Sequence, residues 1–146
     1  MRSSIVRALV LALLGGCVVT RPPNLAERPR WSLRAPAHHA EGCALADAFI
    51  RKSGKTGIGL SVRVRSTTDC TFTITASRIV FGKRAFPAGA VGPIALPGRS
   101  QVYAWIPIRF DNDAIWNDDR NDATIELDVA VAATPTTTWT IPVHQR

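Results

Sequence analysis

The chain has 146 residues, 46% of them hydrophobic, and a formal net charge of +7 from eighteen Lys and Arg against eleven acids. That length suits one domain with a short appendage. The apolar run from Ala8 to Val19 is twelve residues long and holds two glycines; a spanning helix needs about 20, so no stable transmembrane anchor is expected. Enzyme chemistry finds no support either. His38 and His39 fall in the expected tether and His144 two residues from the end, no Ser or Cys sits in a nucleophile-elbow context, and no glycine-rich phosphate cradle is present. The chain is expected to be no enzyme and to carry no cofactor.

In chain order, Arg2 and Arg7 make a basic start, Ala8 to Leu14 an apolar run, and Leu14-Gly15-Gly16-Cys17 closes it with two small residues before a cysteine. This segment resembles the lipobox of bacterial lipoproteins, over the first 17 residues. The resemblance implies a signal helix within a cleaved signal peptide, residues 1–16, and a diacylglyceryl-modified Cys17 as the first residue of the mature chain. An ordinary secretory signal is the alternative. Each buried acyl CH₂ contributes about 0.8 kcal/mol, so two or three chains hold a protein at a membrane essentially permanently. The implied address is the bacterial envelope. In lipoproteins an aspartate after the cysteine commonly marks inner-membrane retention; Val18 stands there, which favours the outer membrane where two membranes exist.

Export also bears on the charge. An exported basic chain meets no genome, so nucleic acid is not expected as a partner, and anionic lipid head groups or acidic envelope polymers are the available polyanions. The arginine excess equally fits a GC-rich genome. Residues 17–110 carry fourteen Arg or Lys against four acids, and residues 111–146 two against seven. Such a division either stitches a domain together or leaves two faces of opposite sign.

Residues 17–42 read as the lipidated cysteine and a tether: Pro22, Pro23, Pro29 and Pro36 interrupt them without any sustained periodicity. Extended at about 3.1 Å per residue, such a tether reaches roughly 75 Å. Trp31 and Leu33 within it suggest a local contact with the domain or the lipid interface. With Cys17 taken by lipid, Cys43 and Cys70 remain as an even pair in an oxidising compartment, and a disulfide is expected; two buried thiols are the alternative. It would close a loop of 27 residues and add about 3 kcal/mol.

Residues 43–146 read as the domain. Ile58, Leu60, Val62 and Val64 alternate with Gly59, Ser61, Arg63 and Arg65, the pattern of a half-buried strand. Phe72, Ile74 and Ala76 alternate with threonines, and Ile79-Val80-Phe81 leads into a hairpin turn at Gly82-Lys83-Arg84. Residues 87–98 hold three prolines and three glycines and read as loop with at most a short edge strand. Val102 to Phe110 alternate again, with Pro107 marking an edge or a bulge. Ile125 to Val131 and Trp139 to Val143 supply two more strands. About seven strands and no convincing helix predict an all-β fold, an immunoglobulin-like antiparallel β-sandwich. The usual inter-sheet disulfide with its tryptophan is missing, and Arg63, Arg65, Glu126 and Asp128 at outward positions argue against a membrane barrel.

Two features are candidates for function. In the usual sandwich topology Arg63 and Arg65 lie on one sheet and Glu126 and Asp128 on the other, so a basic face is expected from Arg63 and Arg65 with Arg51, Lys52 and Lys55 in the preceding loop. It would lean toward anionic envelope polymer, the alternative being a solvated strand face. The other is Asp111, Asp113, Asp118, Asp119 and Asp122, whose carboxylates suit an extracellular-type calcium site although their spacing fails the EF-hand rule. An ordinary cross-over with capping aspartates is the alternative. Together these point to a membrane-anchored envelope lipoprotein with a non-catalytic binding or scaffolding domain that contacts another envelope protein, or alternatively a calcium- or glycan-binding module using exposed Tyr103 or Trp105.

Overall fold

The computed structural model describes residues 31–54, 56–110 and 122–145. Cys17, the signal segment, Lys55, Asp111, Asp113, Asp118 and Asp119 lie outside the described residues. The fold is all β, two antiparallel sheets packed face to face. Ten strands appear among the described residues: β1 (Trp31–Leu33), β2 (Ala37–Glu41), β3 (Ala44–Gly54), β4 (Gly57–Ser66), β5 (Cys70–Phe81), β6 (Arg84–Ala88), β7 (Val91–Leu96), β8 (Gln101–Arg109), β9 (Asp122–Val131) and β10 (Thr137–Gln145).

One sheet runs β1-β10-β9-β5-β6, with β7 also paired to β5, and the other runs β2-β3-β4-β8. The orders β3-β4-β8 and β10-β9-β5 match the A-B-E and G-F-C strand neighbours of an immunoglobulin-like sandwich. β6 and β7 lie along successive halves of β5 and behave as one edge strand broken at Gly89-Ala90, where Ser77 Oγ donates to the Gly89 carbonyl. The segment expected to be mostly loop is therefore largely paired, since Pro87 and Pro93 sit on an outer edge that tolerates a missing donor.

Period-two burial builds the core. Ile58, Leu60, Val62 and Val64 of β4 face Phe72, Ile74 and Ile79 of β5 and Ile125, Leu127, Val129 and Val131 of β9 across the sandwich, all essentially inaccessible. At one end Trp31, Phe81 and Phe110 pack edge to face, with centroids 5.6 Å (Trp31–Phe81), 6.2 Å (Trp31–Phe110) and 5.5 Å (Phe81–Phe110) apart. At the other, Cys43 and Cys70 are disulfide-bonded, with Cα atoms 5.8 Å apart. Cys43 is in the two-residue β2–β3 turn, where Gly42 takes φ 52°, as Gly82 takes 58° in the β5–β6 turn. In both turns a glycine leads, as a type II′ hairpin requires.

Two expectations need correction. The folded part begins no later than Trp31, not at Cys43: β1 pairs with β10 and β2 with β3, so much of the expected tether, His38 and His39 included, is sheet. Trp31 is only 3% exposed. A three-residue strand and the polar Ala-His-His-Ala-Glu strand are too short and too hydrophilic for alternation to reveal. Arg51 and Lys52 likewise belong to β3, not to a loop before β4. β3 turns Ala44, Ala46 and Ala48 inward and the larger Leu45 and Phe49 outward, so the bulkier residues face away from the core.

Candidate functional site: the outer face of the four-stranded sheet

Cross-strand register arranges this face in rows. Ala40, Leu45, Arg65 and Gln101 stand in one row, His38, Asp47, Arg63 and Tyr103 in the next, then Phe49, Ser61 and Trp105, then Lys52, Gly59 and Pro107. Side chains directly opposite across strands are neighbours.

The second row is held by a carboxylate. Asp47 points outward yet is only 4% exposed, because its neighbours lie across it. Arg63 donates from Nε (3.1 Å) and Nη2 (2.7 Å) to Asp47 Oδ2, Arg65 donates from Nη2 to the same oxygen at 3.2 Å, and His38 Nδ1 meets Oδ1 at 2.5 Å. The Arg63 hydrogen bonds foremost, then that of His38 and the positive field of Arg63 and Arg65, hold the Asp47 carboxyl below the usual carboxylate range despite its burial. Arg51 and Arg63 both lie over the Phe49 ring, at 5.7 and 5.4 Å from its centroid. A β-bulge between Ile50 and Lys52 brings Arg51 and Lys52 to this face together.

The third row is aromatic. The end of the Trp105 indole packs over Gly59: a Cβ added there would overlap its Cη2 and Cζ2 and would stand 3.0 Å from Lys52 Cβ. Trp105 remains 50% exposed above that contact, beside Tyr103 at 52%. Gly59→Ala is therefore expected to lift the indole with little change in stability, because what must move is the far end of a side chain. Near-UV circular dichroism against urea titration separates the two effects; an unchanged spectrum refutes the contact.

β8 is the free edge of this sheet. Ser66 donates to the Ser100 carbonyl and Phe110 to that of Thr56, so even-numbered residues of β8 bond to β4 and odd-numbered ones face the open edge. Pro107 falls in the second set. It removes a donor from the edge without weakening the β4 ladder, a device that discourages edge-to-edge pairing.

The two faces differ in charge as the sandwich topology predicts, with a qualification. Glu126 and Asp128 do lie on the other sheet, but Arg78 of β5 bridges them, from Nε to Glu126 at 2.6 Å and from Nη1 to Asp128 at 2.8 Å. That face is otherwise mostly threonine and close to neutral. Arg78 foremost, then Thr138, lowers the Asp128 pKa, and a hydrogen bond from Thr137 leads the lowering at Glu41. For all three acids the folded pKa lies below the unfolded one. Their stabilisation is complete above the unfolded carboxylate pKa, near 4, and is lost as pH falls through the folded values. Urea midpoints are expected to drop steeply below about pH 4, and less steeply in Asp47→Asn; parallel curves for the two proteins would refute Asp47's share.

Among the described residues, no three His, Cys, Asp or Glu stand close enough to hold a metal ion. Asp122 ion-pairs with Arg34 at 2.6 Å, and the other four candidate calcium ligands lie outside the described residues. Tyr103 and Trp105 were legible only as two exposed aromatics; their alignment with Arg63 and Arg65 needed the β4–β8 register, and that with Phe49 and Lys52 the register of β3, which carries no readable alternation.

No protein-family model and no curated protein matches this chain. A solved structure of a protein from Archaeoglobus fulgidus aligns with 75% of this chain and 93% of its own, at 10% identity and a TM-score of 0.37.

Proposed function

We propose that this chain is a lipid-anchored protein of the bacterial envelope, held by acyl chains on Cys17, in the outer membrane where there are two. Its sandwich binds and does not catalyse. The observation that carries the reading is that half-exposed Tyr103 and Trp105, with Leu45, share a sheet face with Arg51, Lys52, Arg63, Arg65 and Arg109. Scattered apolar residues are ordinary on a surface; aromatic side chains fixed among arginines are the composition of binding hot spots. The Cys43–Cys70 disulfide supports an oxidising compartment. Both an envelope protein and a glycan would meet this face, and half-exposed Trp105 and Tyr103 side by side on one strand favour the glycan.

Two measurements test the reading. Mass spectrometry of the N-terminal peptide is expected to find acylated Cys17, and an unmodified N-terminus overturns the anchor. A photo-crosslinking residue at Gln101 is expected to give a discrete high-mass adduct in intact cells, and one at Thr140, on the opposite sheet, none. Equal labelling at both positions removes the face from consideration.

A further inference from the structure

The way Trp105 and the guanidinium groups are held goes further than the face itself. We infer that the outer face of β2-β3-β4-β8 binds an acidic polysaccharide, with a sugar ring stacked on Trp105 and Tyr103 and its carboxylate taken by Arg65; this rests on that face being the binding surface.

Shape speaks first. An indole packed over Gly59 and still half exposed, with Tyr103 beside it, offers an accessible aromatic surface. It matches the apolar C–H face of a pyranose, whose hydroxyls project sideways toward polar groups. Tyr103, two residues away on the same strand, sets a second stacking position about 6 to 7 Å along. A protein hot spot more often seats its aromatic anchor in a pocket.

Charge then selects an acidic polymer. The face carries Arg51, Lys52, Arg63, Arg65 and Arg109 against one acid, Asp47, which is already shared by two arginines. Arg63 commits Nε and Nη2 to that carboxylate, whereas Arg65 commits Nη2 alone and its side chain is 47% exposed. Arg65 thus keeps donors for a second carboxylate, from Nη1 or Nε singly or from one of them beside the remaining Nη2 hydrogen. Arg51 and Arg63, stacked on Phe49, are oriented beforehand and lose little freedom on binding.

The test uses residues 17–146 with Cys17→Ser, exported so that the disulfide forms, and calorimetric titration without divalent cations. The probes are polygalacturonate, its neutral methyl ester, and poly-L-glutamate, which has the charge without the rings. Polygalacturonate is expected to bind at least about tenfold tighter than either, and Trp105→Ala to remove about tenfold of that affinity while leaving poly-L-glutamate unchanged. Arg65→Gln is expected to weaken polygalacturonate binding and flatten its salt dependence. Unchanged melting temperatures in both variants show that they are folded. Equal binding of poly-L-glutamate, insensitive to Trp105→Ala, overturns the inference and points to an acidic protein surface. Equal binding of the methyl ester overturns the acidic part. If no probe binds, the inference fails; the Gln101 adduct then decides separately whether the face is still a binding surface.

Discussion

Trp31→Ala is expected to cost about 3 to 5 kcal/mol, the range for truncating a buried Trp or Phe. The indole is buried against Phe81 and Phe110 and opens the strand that pairs with β10. Its loss leaves a cavity at one end of the core and weakens the hold of β1 on Gln145, His144 and Val143. The cost is large beside the roughly 5–15 kcal/mol that domains possess in all. Urea unfolding at neutral pH measures it, and Trp31→Phe is expected to recover most of it, since the indole N–H finds no acceptor among the described residues. A Trp31→Ala loss below about 1 kcal/mol, the ordinary surface range, would mean that residues 31–41 hang from the domain as a tether.

Reduction of the disulfide is expected to cost about 3.5 kcal/mol, the chain-entropy value for a loop of 27 residues. In melting temperature this is roughly 10 to 20 °C for a domain of this size. The bond joins the tip of the β2–β3 hairpin, in one sheet, to the head of β5, in the other. Thermal melts with and without reductant measure the effect. The double variant Cys43→Ala/Cys70→Ala should match the reduced protein and ignore the reductant; a parent protein whose melting temperature does not respond to reductant would show that the bond contributes nothing.

The strands readable in the sequence were those with one wet face and one dry face. In β4, β8, β9 and β10 the inward set is large, apolar and buried, so alternation showed the strands, although Gly59 and Ser61 of β4 are covered too and Tyr103 and Trp105 of β8 face outward. β3 breaks that coincidence, with alanine inside and Leu45 and Phe49 outside. β2 does so with histidine: His39 turns in to stack on Trp139, 5.3 Å between centroids, and hydrogen-bonds Glu41. The partition of Arg63 and Arg65 from Glu126 and Asp128 followed from topology alone. What neutralises each set, Asp47 and Arg78, did not, because cross-strand partners depend on register and a shift of one residue reverses every side chain.

The early start of the folded part also determines how the molecule carries load. With the anchor proposed at Cys17, fourteen peptide steps separate it from Trp31, which bounds the anchor's distance from the first strand at about 45 to 50 Å. Tension from the anchor enters the described residues through β1 and β2. At Cys43 it meets a covalent fork, passing on into β3 and across the disulfide into β5, whose neighbours include β9, β6 and β7. Peeling from the anchored end therefore stops at Cys43 until both sheets share the force. A domain dragged by a bulky polymer can shed its first two strands while β3, β4 and β8, with Trp105 and Arg65, stay in register.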